Sequence, residues 1–337
     1  MIQNKNSILF LMLALLMVLL FLVDISLGSV FIPLKEVLKS LCGENASKET
    51  WQYIIINYRL PKAITAILVG TGLSISGLLM QTLFRNPLAG PYVLGLSSGS
   101  SLGVAFVVLG GSYLGFGSFF LGFSIIIASC LGSLLVLLAV LFVSQRLRDT
   151  MAILIVGLMF GSFSSAIVNV LTNFSSAEQL QKFTFWSMGN LGNLSWTSIS
   201  ILSFSVLIGL LLSIISIKSL DALLLGENYA KSLGLNYRKA RLIIIIATSL
   251  LAGSITAFAG PIAFIGLAVP HIAKLVFQTS NHLTLFWSTL LFGAIIMLLC
   301  DIISQVPGSN YTLPINAITS IIGAPVVIWL LIKKRSF

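Results

Sequence analysis

Charge is what this sequence lacks: Asp, Glu, Lys and Arg make up 8% of 337 residues, while 57% are hydrophobic. A soluble domain covers its surface with about 25% charged residues, so an ordinary soluble fold is excluded and the bilayer becomes the solvent. Crossing the hydrocarbon takes about 20 apolar residues per helix, which gives room for about ten spans and no further soluble domain. Acids near the middle of a span are also missing. Only Asp24 and Asp301 are candidates, and both fall near the outer ends of predicted spans. A proton-coupled secondary transporter is expected to carry acids or histidines near the midplane, and their absence argues against that class.

Other chemistries lack their residues too. The two histidines, His271 and His282, fit no H-E-x-x-H or other ligand spacing. His271, beside Pro270 near the inner end of a short helix, suits capping or packing better than a metal. Cys42, Cys130 and Cys300 stand far apart without C-x-x-C spacing, and no pairing is inferred. No lysine follows a glycine, so the phosphate-binding G-x-x-x-x-G-K-[ST] is missing. Any ATP used must be hydrolysed by another polypeptide. Gly95, Ser97 and Gly99 spell G-x-S-x-G, but a nucleophile elbow needs a strand-to-helix turn and a partnered histidine. A serine-rich, close-packed helix start accounts for them better.

The cations that are present give a net charge of +10. With an amino terminus inside and alternating spans, thirteen fall on the cytoplasmic side: Lys5, Arg85, Arg146, Arg148, Lys218, Lys231, Arg238, Lys239, Arg241, Lys274, Lys333, Lys334 and Arg335. Lys35, Lys39, Lys48, Arg59, Lys62 and Lys182 fall outside. This is the positive-inside bias of a membrane protein, and it explains the basicity without a nucleic-acid partner.

Apolar runs predict helices at about residues 8–28, 60–82, 92–112, 117–143, 151–172, 195–217, 240–259, 262–277, 283–305 and 313–332. The first run is read as a retained span, because no small-residue cleavage site precedes Asp24. The eighth is short, and the third opens in the polar stretch Gly95 to Gly103. Such segments are tolerated only inside protein or beside a water-filled cavity. Small residues four apart, Gly99 with Gly103, Gly111 with Gly115 and Gly157 with Gly161, read as packing seams, within one subunit or between two.

Two segments are polar enough to lie outside the hydrocarbon. Pro33 to Asn57 is expected on the outer face, with a short helix around Val37 to Leu41. Asp221 to Arg241 is expected on the cytoplasmic face as two short helices broken by Gly226 and Gly234. Such a knob fits a groove on a partner protein; an ordinary interfacial loop is the alternative.

From Tyr58 to Ser98 the chain reads YRLPKAITAILVGTGLSISGLLMQTLFRNPLAGPYVLGLSS. This resembles the FecCD family of permeases, and the likeness continues through LGENYAKSLGLNYRKAR, GPIAFIGLAVPHIAKL and LPINAITSIIGAPVVIWLL, covering nearly everything beyond about residue 50. The resemblance implies an all-α integral membrane protein of about ten transmembrane helices, a type II ABC importer permease bundle forming one domain over 1–337. The coupling loop would span about 219–241. It further implies a plasma-membrane location with both termini cytoplasmic, a second permease copy with the path along the pair's axis, ABC ATPase subunits beneath the knob, and a soluble or lipid-anchored substrate-binding protein outside. No cofactor would bind the chain directly and ATP would be used by the partner, so the chain itself would not be an enzyme. Iron chelates, ferric siderophore or haem, are favoured over cobalamin because most of the family serves iron.

Matching positions then acquire roles. ATPase coupling falls to Asp221, Leu225, Gly226, Glu227, Ala230, Leu233, Gly234 and Arg241. The cytoplasmic gate falls to Asn86, Leu88 and Thr150, with Met151 replacing a small polar residue. Arg59 and Lys62 match cations that meet acids on the binding protein; anchoring to lipid head groups is the alternative. Gln305 stands where an arginine is usual, four residues after Asp301, and Asn316 stands where glycine is common.

Overall fold

The computed structural model describes residues 2–110, 121–146, 150–192, 194–306 and 311–334, and every regular element among them is helical. In chain order these are α1 (Ile2–Ser26), α2 (Leu34–Leu41), α3 (Glu49–Ile54), a π-helical turn (Ile55–Arg59), α4 (Leu60–Leu83), a 3₁₀ turn (Pro91–Leu94), α5 (Leu96–Val108), α6 (Leu121–Arg146) and α7 (Thr150–Asn173). There follow α8 (Ala177–Ser187), α9 (Trp196–Leu224), α10 (Glu227–Ser232), α11 (Tyr237–Ala259), α12 (Ile265–Phe277), α13 (His282–Ser304) and α14 (Ile315–Lys334). Seven helices among the described residues are long and apolar enough to cross a membrane, and α5, α12 and α14 are shorter apolar helices. Each of the ten predicted apolar runs is matched by one of these.

α4 is the centre of the bundle, with 83% of its apolar window buried, against 17% for α1 and 11% for α7. It packs on α13, α11, α9 and α12. Glycine makes the approach possible: a Cβ at Gly70 would overlap the Gly293 carbonyl of α13, and one at Gly77 would overlap that of Gly266 at the start of α12. Lipid tails are as apolar as the helices, so close van der Waals contact through small residues is what holds such a bundle together. The Gly99 and Gly103 seam is internal, meeting Ala128 and Gly132 of α6. Gly111 and Gly115 lie outside the described residues.

Three expectations change. The outer segment carries more helix than expected: besides α2, which covers the predicted short helix, helix begins at Glu49 and runs through the π turn into α4. The knob holds one short helix, not two: α9 continues to Leu224, since its apolar run meets no breaker before Gly226. Gly226 ends it with φ 115° and ψ 154°, a conformation essentially restricted to glycine. α8 has no counterpart among the predicted apolar runs; Ser176 and Gln179 start it with a reciprocal capping box.

Between α11 and α12 the helix breaks at residues 260–264, with left-handed φ at Gly260 and Phe264. A break inside a bundle exposes amides that need partners. Ile262 N–H donates to the Tyr92 hydroxyl at 3.3 Å and Ala263 N–H to Asn316 Oδ1 at 3.0 Å.

Candidate coupling and docking ends

The chemistry-bearing side chains gather at the two ends of the bundle. At one end stands the knob, residues 226–234, between α9 and α11. Asn236 caps α11 through the Lys239 amide, and Asn281 caps α13 through the amides of Leu283 and Thr284. Within the knob, Glu227 and Lys231 form an exposed ion pair at 2.6 Å, Ala230 is buried, and Leu225, Tyr229 and Leu233 are exposed. An exposed apolar rim on a short helix is what a partner's groove requires. Arg241 is buried at the base with its guanidinium 5.6 Å from the Tyr237 ring, so it supports the knob from beneath.

The base of the knob is tied to two neighbouring helix ends, the start of α13 and the end of α4. Asp221 Oδ1 accepts from the His282 amide at 3.1 Å and lies 2.7 Å from His282 Nδ1. His282 is buried, and its Nε2 lies 2.9 Å from Thr82 Oγ1 in the last turn of α4. Arg85, with a left-handed φ of 48°, donates from Nε to Leu223 O at 3.1 Å and from Nη2 to Leu224 O at 2.9 Å. These are end carbonyls of α9, past the helix's own bonding ladder; Leu223 O also accepts the Gly226 amide at 3.2 Å.

The turn after Arg85 is self-bonded. Asn86 Oδ1 accepts the Leu88 amide at 2.9 Å, and Leu88 is exposed. His271 Nε2 is 2.9 Å from the Pro87 carbonyl, and Gln81 Nε2 donates to Leu267 O at 3.1 Å. Thr150 begins α7, but its side chain and that of Met151 lie outside the described residues. Asn86 and Leu88 thus share one turn.

The opposite end holds a charge cluster around a cavity of about 650 Å³ lined by Tyr58, Arg59, Lys62, Asn190, Asp301 and Gln305. Lys62 Nζ meets Asp301 Oδ1 at 2.9 Å, and Asp301 is buried. Gln305 Nε2 donates to Asp24 Oδ1 at 2.9 Å and to Asp301 Oδ2 at 3.2 Å. Arg59, the last residue of the π turn, donates to the carbonyls of Ile25 and Ser26 at 2.8 Å each and to that of Val30. Both predicted docking cations therefore stand at one mouth, and both hold internal partners. A furrow of about 530 Å³ lies elsewhere, between Tyr92, Ser98 and the α7 residues Gly157, Gly161, Ser162, Ser165 and Asn169.

The pattern of the FecCD transport family matches residues 15–333. The chain belongs to this family. Among the proteins that this FecCD chain resembles is the hemin transport system permease protein HmuU of Yersinia pestis, 32% identical over 319 residues and covering 94% of each chain. Another is the vitamin B12 import system permease protein BtuC of Citrobacter koseri, 36% identical over 278 residues and 82% of each chain. A solved structure described as an inward-facing conformation of a transporter assigned to the metal-chelate ABC type superposes with a TM-score of 0.85 at 27% identity, over 97% of this chain and 99% of that one. The all-helical membrane permease fold expected from the resemblance is thereby established.

Sequence reasoning on this FecCD chain misses Arg85, Thr82 and His282 as the fastening of the knob. In the sequence Arg85 is one inside cation among thirteen, and His282 is a histidine without metal spacing. No sequence spacing links Asp221 to His282, which are 61 residues apart.

Proposed function

We propose that the chain is the permease subunit of an ABC importer that brings iron chelates, ferric siderophore or haem, or cobalamin into a bacterial cell, driven by separate ATPase subunits. The observation that carries this reading is the knob: a short helix bounded by Gly226 and Gly234, apolar at its exposed rim, fixed at the end of a bundle whose sequence has no phosphate-binding loop. The knob end carries Arg85, Lys231, Arg238, Lys239, Arg241 and Lys274, which supports a cytoplasmic assignment. Both termini then face the cytoplasm of the plasma membrane.

Asp221, Leu225, Gly226, Glu227, Ala230, Leu233, Gly234 and Arg241 serve ATPase coupling, and Asn86, Leu88 and Thr150 the cytoplasmic gate. Arg59 and Lys62 rim the outer mouth, where a binding protein's acids compete with Asp301 for the lysine; rim charges mainly orient and speed such docking. A second copy of the chain packs with α7, whose low burial combined with Ser162, Ser165 and Asn169 suits a watered path better than lipid. The metal crosses inside its organic ligand, and the chain supplies neither cofactor nor catalytic group.

The test is uptake of labelled ferric siderophore, haem and cobalamin by permease reconstituted with its partner ATPase and binding protein. ATP-dependent uptake of one of the three is expected. Uptake by the permease alone would overturn the reading in favour of a secondary transporter.

A further inference from the structure

The contacts at the base of the knob form a closed circuit. α4 contributes Thr82 and, two residues past its end, Arg85; α9 contributes Asp221 and its carbonyls at Leu223 and Leu224, and α13 contributes His282. The turn that follows Arg85 is held at its middle by His271 of α12, through Pro87 O. The two sides of the circuit are the two segments that transport chemistry would need to move in concert: the knob starts at Gly226, two residues beyond the last clamped carbonyl, and Asn86 follows Arg85 directly.

Two physical features make this a joint and not a casual contact. The guanidinium is a flat fork with fixed donor directions, and it engages two successive carbonyls at the end of α9. A cation at a helix C-terminus also meets the negative end of the helix dipole. The backbone at Arg85 takes a left-handed φ, uncommon for a residue with a Cβ, and it is in this conformation that the fork reaches α9. On the other side, a single carboxylate oxygen of Asp221 binds both the first amide and the ring of His282, so α13 cannot shift along its axis without pulling on α9.

We propose that Arg85, with the Asp221–His282–Thr82 chain, locks the turn 85–91 to the base of the knob, so that displacement of the knob is delivered to Asn86 and Leu88 as rigid motion. Arg85, Thr82 and His282 are positioning residues for transport. This rests on the importer reading only for what drives the knob; the lock itself belongs to the permease alone.

The test separates the two. Spin labels at Leu88→Cys and Leu225→Cys, both exposed positions, are placed in the full-length permease with Cys42→Ser, in lipid nanodiscs. A single narrow distance distribution is expected, broadened by Arg85→Gln and by Asp221→Leu and kept narrow by Asp221→Asn, which retains the acceptor oxygen. An unchanged distribution in Arg85→Gln and Asp221→Leu would overturn the lock, whatever the complex does. In the complex with its ATPase and binding protein, Arg85→Gln is expected to lower uptake per ATP hydrolysed by about tenfold while hydrolysis persists. Unchanged uptake per ATP in that variant would overturn the transmission role, and uptake that never depends on ATP in the wild type would overturn the importer reading while leaving the distance result to decide the lock.

Discussion

Gln305 Nε2 donates to Asp24 Oδ1 at 2.9 Å, joining the end of α13 to the end of α1 across 281 residues of sequence. The same amide serves Asp301, which Lys62 neutralises. Two buried acids thereby share one lysine, one uncharged amide and the Ser304 hydroxyl, with Arg59 beside them on the carbonyls of α1. Leaving a buried acceptor without its donor costs about 1–3 kcal/mol. Gln305→Leu is therefore expected to lower the unfolding temperature of detergent-solubilised protein by a few degrees, and Gln305→Arg, which restores donors for both acids, to preserve it. An unaltered melting curve for Gln305→Leu would show that the amide contributes nothing.

The Lys62–Asp301 pair predicts a larger effect with a diagnostic reversal. Removing the lysine leaves the buried Asp301 without its counter-ion, with only the Gln305 amide and the Ser304 hydroxyl as donors, at a cost of up to about 3–5 kcal/mol, whereas replacing both partners by apolar groups is often neutral. Lys62→Met is expected to destabilise the protein strongly, and Lys62→Met with Asp301→Leu to recover most of the loss. Additive losses in this double-mutant cycle would argue that the two side chains act independently.

Packing at the centre is equally exposed to test. Gly77→Ala places a methyl on the Gly266 carbonyl, which is backbone and cannot swing away. Overpacking of this kind costs about 1–3 kcal/mol or more. Folded protein recovered after solubilisation is expected to fall sharply for Gly77→Ala and little for Gly192→Ala, where a Cβ would meet its nearest atom at an ordinary 3.5 Å; equal recovery would contradict the close approach of α4 and α12.

Much of this architecture is legible in the sequence, because lipid solvation writes each span as a long apolar run and glycine marks where helices touch. α4, α11 and α13 fall where their runs predict. The knob is only partly legible: Gly226 and Gly234 punctuate it, but a helix propagates through any apolar run that lacks a breaker, so Asp221 to Leu224 belong to α9. Least legible are the long-range polar ties. Nothing local in Asp24, Lys62, Asp301 or Gln305 says that they share one buried site, and Asn316 is a bare departure in the sequence, whereas in the fold its side chain satisfies the Ala263 amide.

Asn316 makes that last tie measurable. Asn316→Gly removes the acceptor for a broken-helix amide, at about 1–3 kcal/mol, and is expected to speed hydrogen exchange at residues 262–264. Asn316→Asp keeps an oxygen in place and is expected to retain protection. Equal protection in the glycine variant would mean that another group already serves the amide.

The two knob glycines differ in what a side chain would meet, which allows strain to be separated from contact. Gly234 has φ 85° and no atom within 4 Å of where a Cβ would stand, so Gly234→Val acts through backbone strain alone, about 1–3 kcal/mol. Gly226 has φ 115° and a Cβ there would stand 3.1 Å from Arg85 Nη2, so Gly226→Val adds displacement of the guanidinium to the strain. Neither position touches the packed centre around α4, and membrane insertion of the double variant is expected to be normal. If the knob transmits the work of ATP hydrolysis, uptake falls in both single variants, more in Gly226→Val than in Gly234→Val, and is lost in the double variant while hydrolysis by the assembled complex continues. Uptake at the wild-type rate in the double variant would remove the knob from the coupling path.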